Sequence, residues 1–185
     1  MTFATILVLG GLRLLEPPLD MAQMRQQEFL LISEKVAGLG KPNCTAYHPD
    51  GSISLCLPRF SIRPGRQVNA RAFGGRIEFS SAAVQRLSAD QFALLAGHEI
   101  AHYYLGHTHS SIRNELEADA LGALLACQAG FQLDRADVLF RFARSSRSHP
   151  PSRQRRKVLL NMAASPYCKA RPGWDSPVQI AYKGL

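Results

Sequence analysis

Apolar positions change period several times along the chain, and each change marks an element. Residues 21 to 38 (MAQMRQQEFLLISEKVAG) read as a helix that Asp20 caps and that Gly38 and Gly40 end. The stretch NCTAYHPDGSISLCLP then reads as two short strands around a Pro-Asp-Gly turn centred on Asp50. Residues 67 to 79 (QVNARAFGGRIEF) give one or two more strands, interrupted at Gly74-Gly75, and Ser80-Ser81 open a short helix over AAVQRL. Ser88 caps a longer helix, SADQFALLAGHEIAHYYLGH, whose Leu94, Leu95, Ile100, Ala101 and Leu105 supply apolar faces. The polar connection THSSIRN leads into ELEADALGALLACQAG, a helical run stopped at Gly130. Residues 133 to 145 continue as helix, Ser148-His149-Pro150-Pro151 breaks the chain, and RQRRKVLLNMA is helical again. After Pro166 the tail reads as irregular. The pattern predicts an α+β protein, mainly helical with a small sheet.

Three segments follow from this reading: an apolar stretch at 1–19, a domain at 20–165 and a tail at 166–185. No apolar run approaches the ~20 residues of a spanning helix. MTFATILVLGGLRLL has the apolar middle of an export signal, but no basic residue precedes it and Arg13 interrupts it. Export signal, in-plane membrane anchor and first buried helix all remain open readings.

Charge adds one feature. The formal net charge is +8, with a dense basic run at Arg141–Lys157. That run matches no nucleic-acid-binding fold signature, so nucleic acid is not expected as a partner. A solvated basic face, peripheral contact with an anionic membrane or an acidic partner would account for it.

Four cysteines leave the compartment open. Cys44 and Cys56 would face each other across the hairpin, where a bridge is geometrically feasible and would contribute roughly 3 kcal/mol on chain-entropy grounds. Cys127 and Cys168 are a second pair without a local argument, and four buried free thiols of a cytosolic protein are the alternative. A periplasmic or membrane-associated location is favoured over a cytoplasmic one.

The candidate chemistry lies in GHEIAHYYLGH, residues 97 to 107. On a helix His98 and His102 share one face a turn apart and aim at one point, while Glu99 lies on another azimuth. Two imidazoles so placed suit zinc, and Glu99 would then be the general base of an H-E-x-x-H site; a histidine-rich stretch of an ordinary core helix is the other reading. Twelve residues separate His102 from Glu115, enough to turn and bring a second helix back. Glu115 and Asp119 are again four apart. Glu115 is assigned to the metal and Asp119 to a hydrogen bond that fixes a ligand histidine's tautomer. Glu117 is expected to point into solvent. His107 and His109 are out of register for H-E-x-x-H-x-x-G-x-x-H, since Leu105 and Thr108 stand where glycine and histidine are needed; both are expected as surface turn residues.

His98-Glu99-Ile100-Ala101-His102 followed by Glu115-Leu116-Glu117-Ala118-Asp119 resembles the gluzincin endopeptidases that include HtpX, the CAAX prenyl proteases and the mitochondrial OMA-type proteases. Upstream, Asn69-Ala70 and Gly75-Arg76-Ile77 are similar to the family's strand segment that lines the cleft. Downstream, His149-Pro150-Pro151-Ser152 with Arg155 is similar to its H-P-x-x-x-x-R element. The resemblance spans residues 67 to 160. It implies a zincin-like metalloprotease domain with one zinc per chain, whose edge strand (Asn69, Gly75, Arg76, Ile77) holds an extended polypeptide substrate. It implies peptide-bond hydrolysis by zinc-activated water with Glu99 as base, His149 or Arg155 stabilising the oxyanion or gating the metal, and a place in protein quality control. The membrane spans of HtpX and the prenyl proteases are missing, which argues against a membrane-embedded substrate and for a compact member. Two other readings stand beside it. One is a cytosolic regulatory peptidase of the ImmA/IrrE kind, against which Ala118-Asp119 and His149-Pro150 speak. The other is a metal-dependent, chaperone-like binding module, which would not need Glu99.

Overall fold

Asp20 begins the first helix as the sequence leads one to expect. Its carboxylate accepts from the Gln23 backbone N–H at 2.7 Å while the Gln23 side chain accepts from the Asp20 N–H at 3.0 Å, a reciprocal cap. The computed structural model describes residues 20–40, 45–47, 53–137, 139 and 149–169, with backbone alone at 45–47 and 53–55. The 1–19 segment, Cys44, the turn at Asp50, residues 140–148 of the expected fifth helix and the basic run, and residues 170–185 lie outside the described residues.

Helix α1 (Met21–Ala37) buries Phe29, Ile32, Ser33, Val36 and Ala37, one stripe at helical spacing. Strands β1 (Thr45–Tyr47) and β2 (Ile53–Leu55) pair antiparallel with Tyr47 opposite Ile53, the register expected of a hairpin centred on residue 50. Strand β3 (Arg59–Arg63) is an element the sequence reading missed. It runs parallel to β5 (Arg76–Ser80), which also pairs antiparallel with β4 (Ala70–Phe73), in the order β3-β5-β4. Gly74 and Gly75, at φ 52° and 75°, make the tight β4–β5 turn, a conformation that side chains with a Cβ resist.

The register keeps one face of the sheet apolar: Phe60 and Ala72 flank Ile77, and Ile62 and Ala70 flank Phe79. This face packs on the helices, where Phe79 and Phe29 both meet the Phe92 ring, with centroids 4.6 and 4.3 Å away. The opposite face carries Arg59, Arg63, Arg71 and Arg76 around Glu78.

Helix α2 (Ser81–Arg86) is capped by Ser80, and α3 (Ala89–Tyr104) by Ser88 in a second reciprocal cap with Gln91. Helix α4 (Ile112–Gln128) crosses α3 with no room to spare: a Cβ on Gly122 would lie 2.5 Å from the His98 amide nitrogen and 2.6 Å from the Gly97 carbonyl carbon. Of the helix expected over 133–145, Leu133–Ala136 forms α5, and residues 138 and 140–145 lie outside the described residues. Helix α6 (Ser152–Ala164) lies against α4, followed by a single helical turn α7 (Pro166–Lys169) where an irregular tail was expected. Cys168 of α7 is bonded to Cys127 of α4, with Cα atoms 5.4 Å apart. Cys56 is also disulfide-bonded, and no described cysteine is free. The described architecture is α+β with a three-stranded mixed sheet, and none of its helices is long and apolar enough to cross a membrane.

Candidate metal centre

The close α3–α4 crossing sets Glu115 and Asp119 opposite His98 and His102. His98 Nε2 lies 3.1 Å from His102 Nε2, 3.5 Å from Glu115 Oε2, and Glu115 Oε1 lies 3.6 Å from His102 Nε2. One donor atom from each of the three falls within 4.8 Å of the others, so the group can hold a metal ion. The donor chemistry fits a cation better than it fits an empty cluster. Two imidazole Nε2 atoms, acceptors in the tautomers protonated on Nδ1, and a carboxylate converge at 3.1–3.6 Å and repel unless a proton or a cation lies between them.

The surroundings set the charge states. His98 Nδ1 is 2.9 Å from Asp119 Oδ1. Burial opposes a charged His98, yet the hydrogen bonds to Asp119 and Glu115 outweigh it and raise its pKa to about 9. His102 goes the other way, to about 4, because burial and then the His98 charge disfavour a second cation beside the first. Burial alone would raise Glu115, but hydrogen bonds from His98 and from Ser110, the latter at 2.6 Å, bring it down to about 2. Asp119, 1% exposed, is also held below the ordinary carboxylate range: burial works against ionisation, and the Arg155 and His98 hydrogen bonds overcome it.

Glu99 stands apart from this cluster, as its azimuth requires. Burial pushes its pKa up, while the His98 charge and a hydrogen bond from the Ala72 N–H pull it back. That N–H belongs to strand β4, so Glu99 faces the strand. Because the Ser80 N–H donates to the Asn69 carbonyl at 2.9 Å, antiparallel alternation turns the backbone groups of Ala70 and Ala72 away from β5. They face a cleft of about 1010 Å³ whose walls include Ala70, Ala72, Leu95, His98, Glu99 and His102.

Several expected site residues stand elsewhere. The cleft edge is β4 with Asn69 before it; Arg76 and Ile77 belong to the central strand, paired on both sides, with Ile77 in the core, and Gly75 is in the turn. They are not placed to receive an extended chain. Arg155 is not aimed at a reacting carbonyl: its Nε and Nη2 reach Asp119 at 2.8 and 2.7 Å, with Nη2 3.3 Å from His98 Nδ1. It supports the carboxylate that supports the histidine. His149 is half open to solvent over the cluster, its Nε2 3.9 Å from Glu115 Oε1. The prediction of His107 as a surface histidine is overturned. Its side chain is 9% exposed, and its Nδ1 lies 2.9 Å from His102 Nδ1. Glu117, expected in solvent, meets both His107 and Arg113. The signal for this pair was in the sequence as the spacing of His107 five residues beyond His102, but it shows only when the chain folds back after Gly106. No protein-family model and no curated protein matches the chain.

Proposed function

We propose that this protein is a zinc-dependent metalloendopeptidase that takes its substrate as an extended polypeptide. The observation that carries the reading is the convergence of His98, His102 and Glu115 beside a Glu99 that faces β4, the edge strand among the described residues. Zinc is favoured among cations because two imidazoles and a carboxylate are the ligand set of catalytic zinc sites, with a position left over. In such a set zinc supplies Lewis acidity towards a carbonyl oxygen and towards water.

The chain's own residues do the rest. The outward N–H and C=O of Ala70 and the C=O of Ala72 hold a substrate strand by backbone pairing, which is tolerant of side-chain identity, while the Ala72 N–H faces Glu99. Glu99, with a pKa lifted by burial, takes a proton from the attacking water and passes it to the leaving amine. Asp119 and Arg155 hold His98 in place, and His149 is in reach of the developing oxyanion. The Cys127–Cys168 bridge supports an oxidising compartment outside the cytosol.

The test measures metal content and hydrolysis of an unfolded polypeptide such as casein by wild type, Glu99→Gln and Glu115→Ala. Wild type should carry about one zinc per chain. Glu99→Gln should keep the metal and lose at least about a hundredfold in rate, and Glu115→Ala should lose the metal. Equal cleavage by Glu99→Gln would exclude proteolysis at this site and leave a metal-dependent binding module.

A further inference from the structure

The two histidines of the cluster are held from behind in different ways. His98 has a carboxylate directly on its Nδ1. His102 has another imidazole, His107, whose Nδ1 is 2.9 Å away. Of two Nδ1 atoms in contact, one must donate and the other accept. The far side of His107 decides which: its Nε2 lies 3.3 Å from Glu117 Oε2, an acceptor that Arg113 holds at 2.7 Å by an (i, i+4) ion pair. A proton on His107 Nε2 leaves Nδ1 of the neutral ring bare, so His102 donates from its own Nδ1 and keeps a free lone pair on Nε2.

We propose that His107 and Glu117 form a positioning relay that fixes the tautomer of His102 and aims its Nε2 lone pair at the metal site. The inference rests on reading the cluster as a metal centre. Local geometry builds the relay. Helix α3 ends at Tyr104 with Leu105 as its cap, Gly106 turns the chain at φ 66°, and the His107 N–H donates to the His102 carbonyl at 3.0 Å. This folds the His107 ring back against His102, with centroids 5.0 Å apart. Glu117 then arrives from α4, two residues beyond Glu115. One helix thus supplies a ligand and the outer partner of both ligand histidines.

The test reads imidazole nitrogens and metal affinity separately. Long-range proton–nitrogen spectra of the metal-free protein should show His102 protonated on Nδ1 and His107 on Nε2. Zinc affinity, by competition with a chelator, should fall between about tenfold and a hundredfold in His107→Phe, where the acceptor is gone. His107→Asn, whose side-chain oxygen can stand near the place of Nδ1, should restore affinity to within a few-fold of wild type and keep the His102 tautomer. A wild-type His102 protonated on Nε2 would overturn the relay, as would a His107→Phe protein with unchanged tautomer and affinity. A wild type that takes up no zinc would sink the peptidase reading instead, and the nitrogen spectra of the metal-free protein would still decide the relay.

Discussion

With no cation bound, a His98 pKa of about 9 leaves a proton on each ring nitrogen at neutral pH, one towards Asp119 and one shared between Glu115 Oε2 and His102 Nε2. A metal needs the second of those positions. His102 and Glu115, with pKa values lowered to about 4 and about 2, are already deprotonated and give up nothing. Binding between pH 7 and 9 should therefore release about one proton, and zinc affinity should rise roughly tenfold per pH unit up to about pH 9, then level off. Calorimetric titration in two buffers of different ionisation heat measures the release directly. No release at pH 7 would mean that His98 is neutral before metal arrives. At this scale much of the site was legible. Helical spacing alone puts His98 and His102 on one face and Glu99 off it, and the second acidic helix offered Glu115 and Asp119. Arg155, His107 and Glu117 were misread because their roles depend on which side chain stands behind which. Arg155 comes from another helix, 36 residues from Asp119, and no periodicity reports that.

Among elements, the contact between Gly97 and Gly122 controls the site. Both glycines sit inside helices, where each is disfavoured by up to about 1 kcal/mol relative to alanine. Here they let two backbones touch. The His98 amide lies directly under Gly122, so any side chain there would move the ligand histidine away from Glu115. Gly122→Ala should destabilise by roughly 1–3 kcal/mol through overpacking, despite alanine's better helix propensity. It should weaken metal binding as well, because the helix bearing Glu115 is displaced from the helix bearing His98. Thermal unfolding with and without chelator tests both parts: a stabilised variant with unchanged zinc affinity would contradict this account of the crossing. The helices themselves were readable from caps and periodicity, since Asp20, Ser80 and Ser88 cap as their positions suggest. Strand β3 was not, because Pro58 and Pro64 bracket only five residues and its alternation is just Phe60 and Ile62. Its parallel pairing with β5 is a non-local contact, and it is what pushes β5 to the centre and leaves β4 as the edge at the cleft.

Across the whole molecule, α6 and α7 are fastened to α4 at two widely spaced points. Near the start of α6, Arg155 grips Asp119; beyond its end, Cys168 is bonded to Cys127 across 41 residues of sequence. Nothing local in the sequence paired these cysteines, since their proximity exists only once α6 has packed along α4. Closing a loop of this length should contribute about 2–4 kcal/mol, chiefly by restricting the unfolded chain. The bridge lies at the C-terminal end of α4, whereas Glu115 and Asp119 occupy its first turns, so the two fastenings should behave independently. Cys168→Ser should therefore lower the unfolding free energy by that amount and change zinc affinity less than about threefold. Urea unfolding compared with and without a reductant supplies the control, because the wild-type protein should lose stability on reduction and the variant should lose less. If Cys168→Ser lost its metal instead, the bridge would be holding Arg155 against Asp119, and the outer support of His98 would depend on the redox state of the protein.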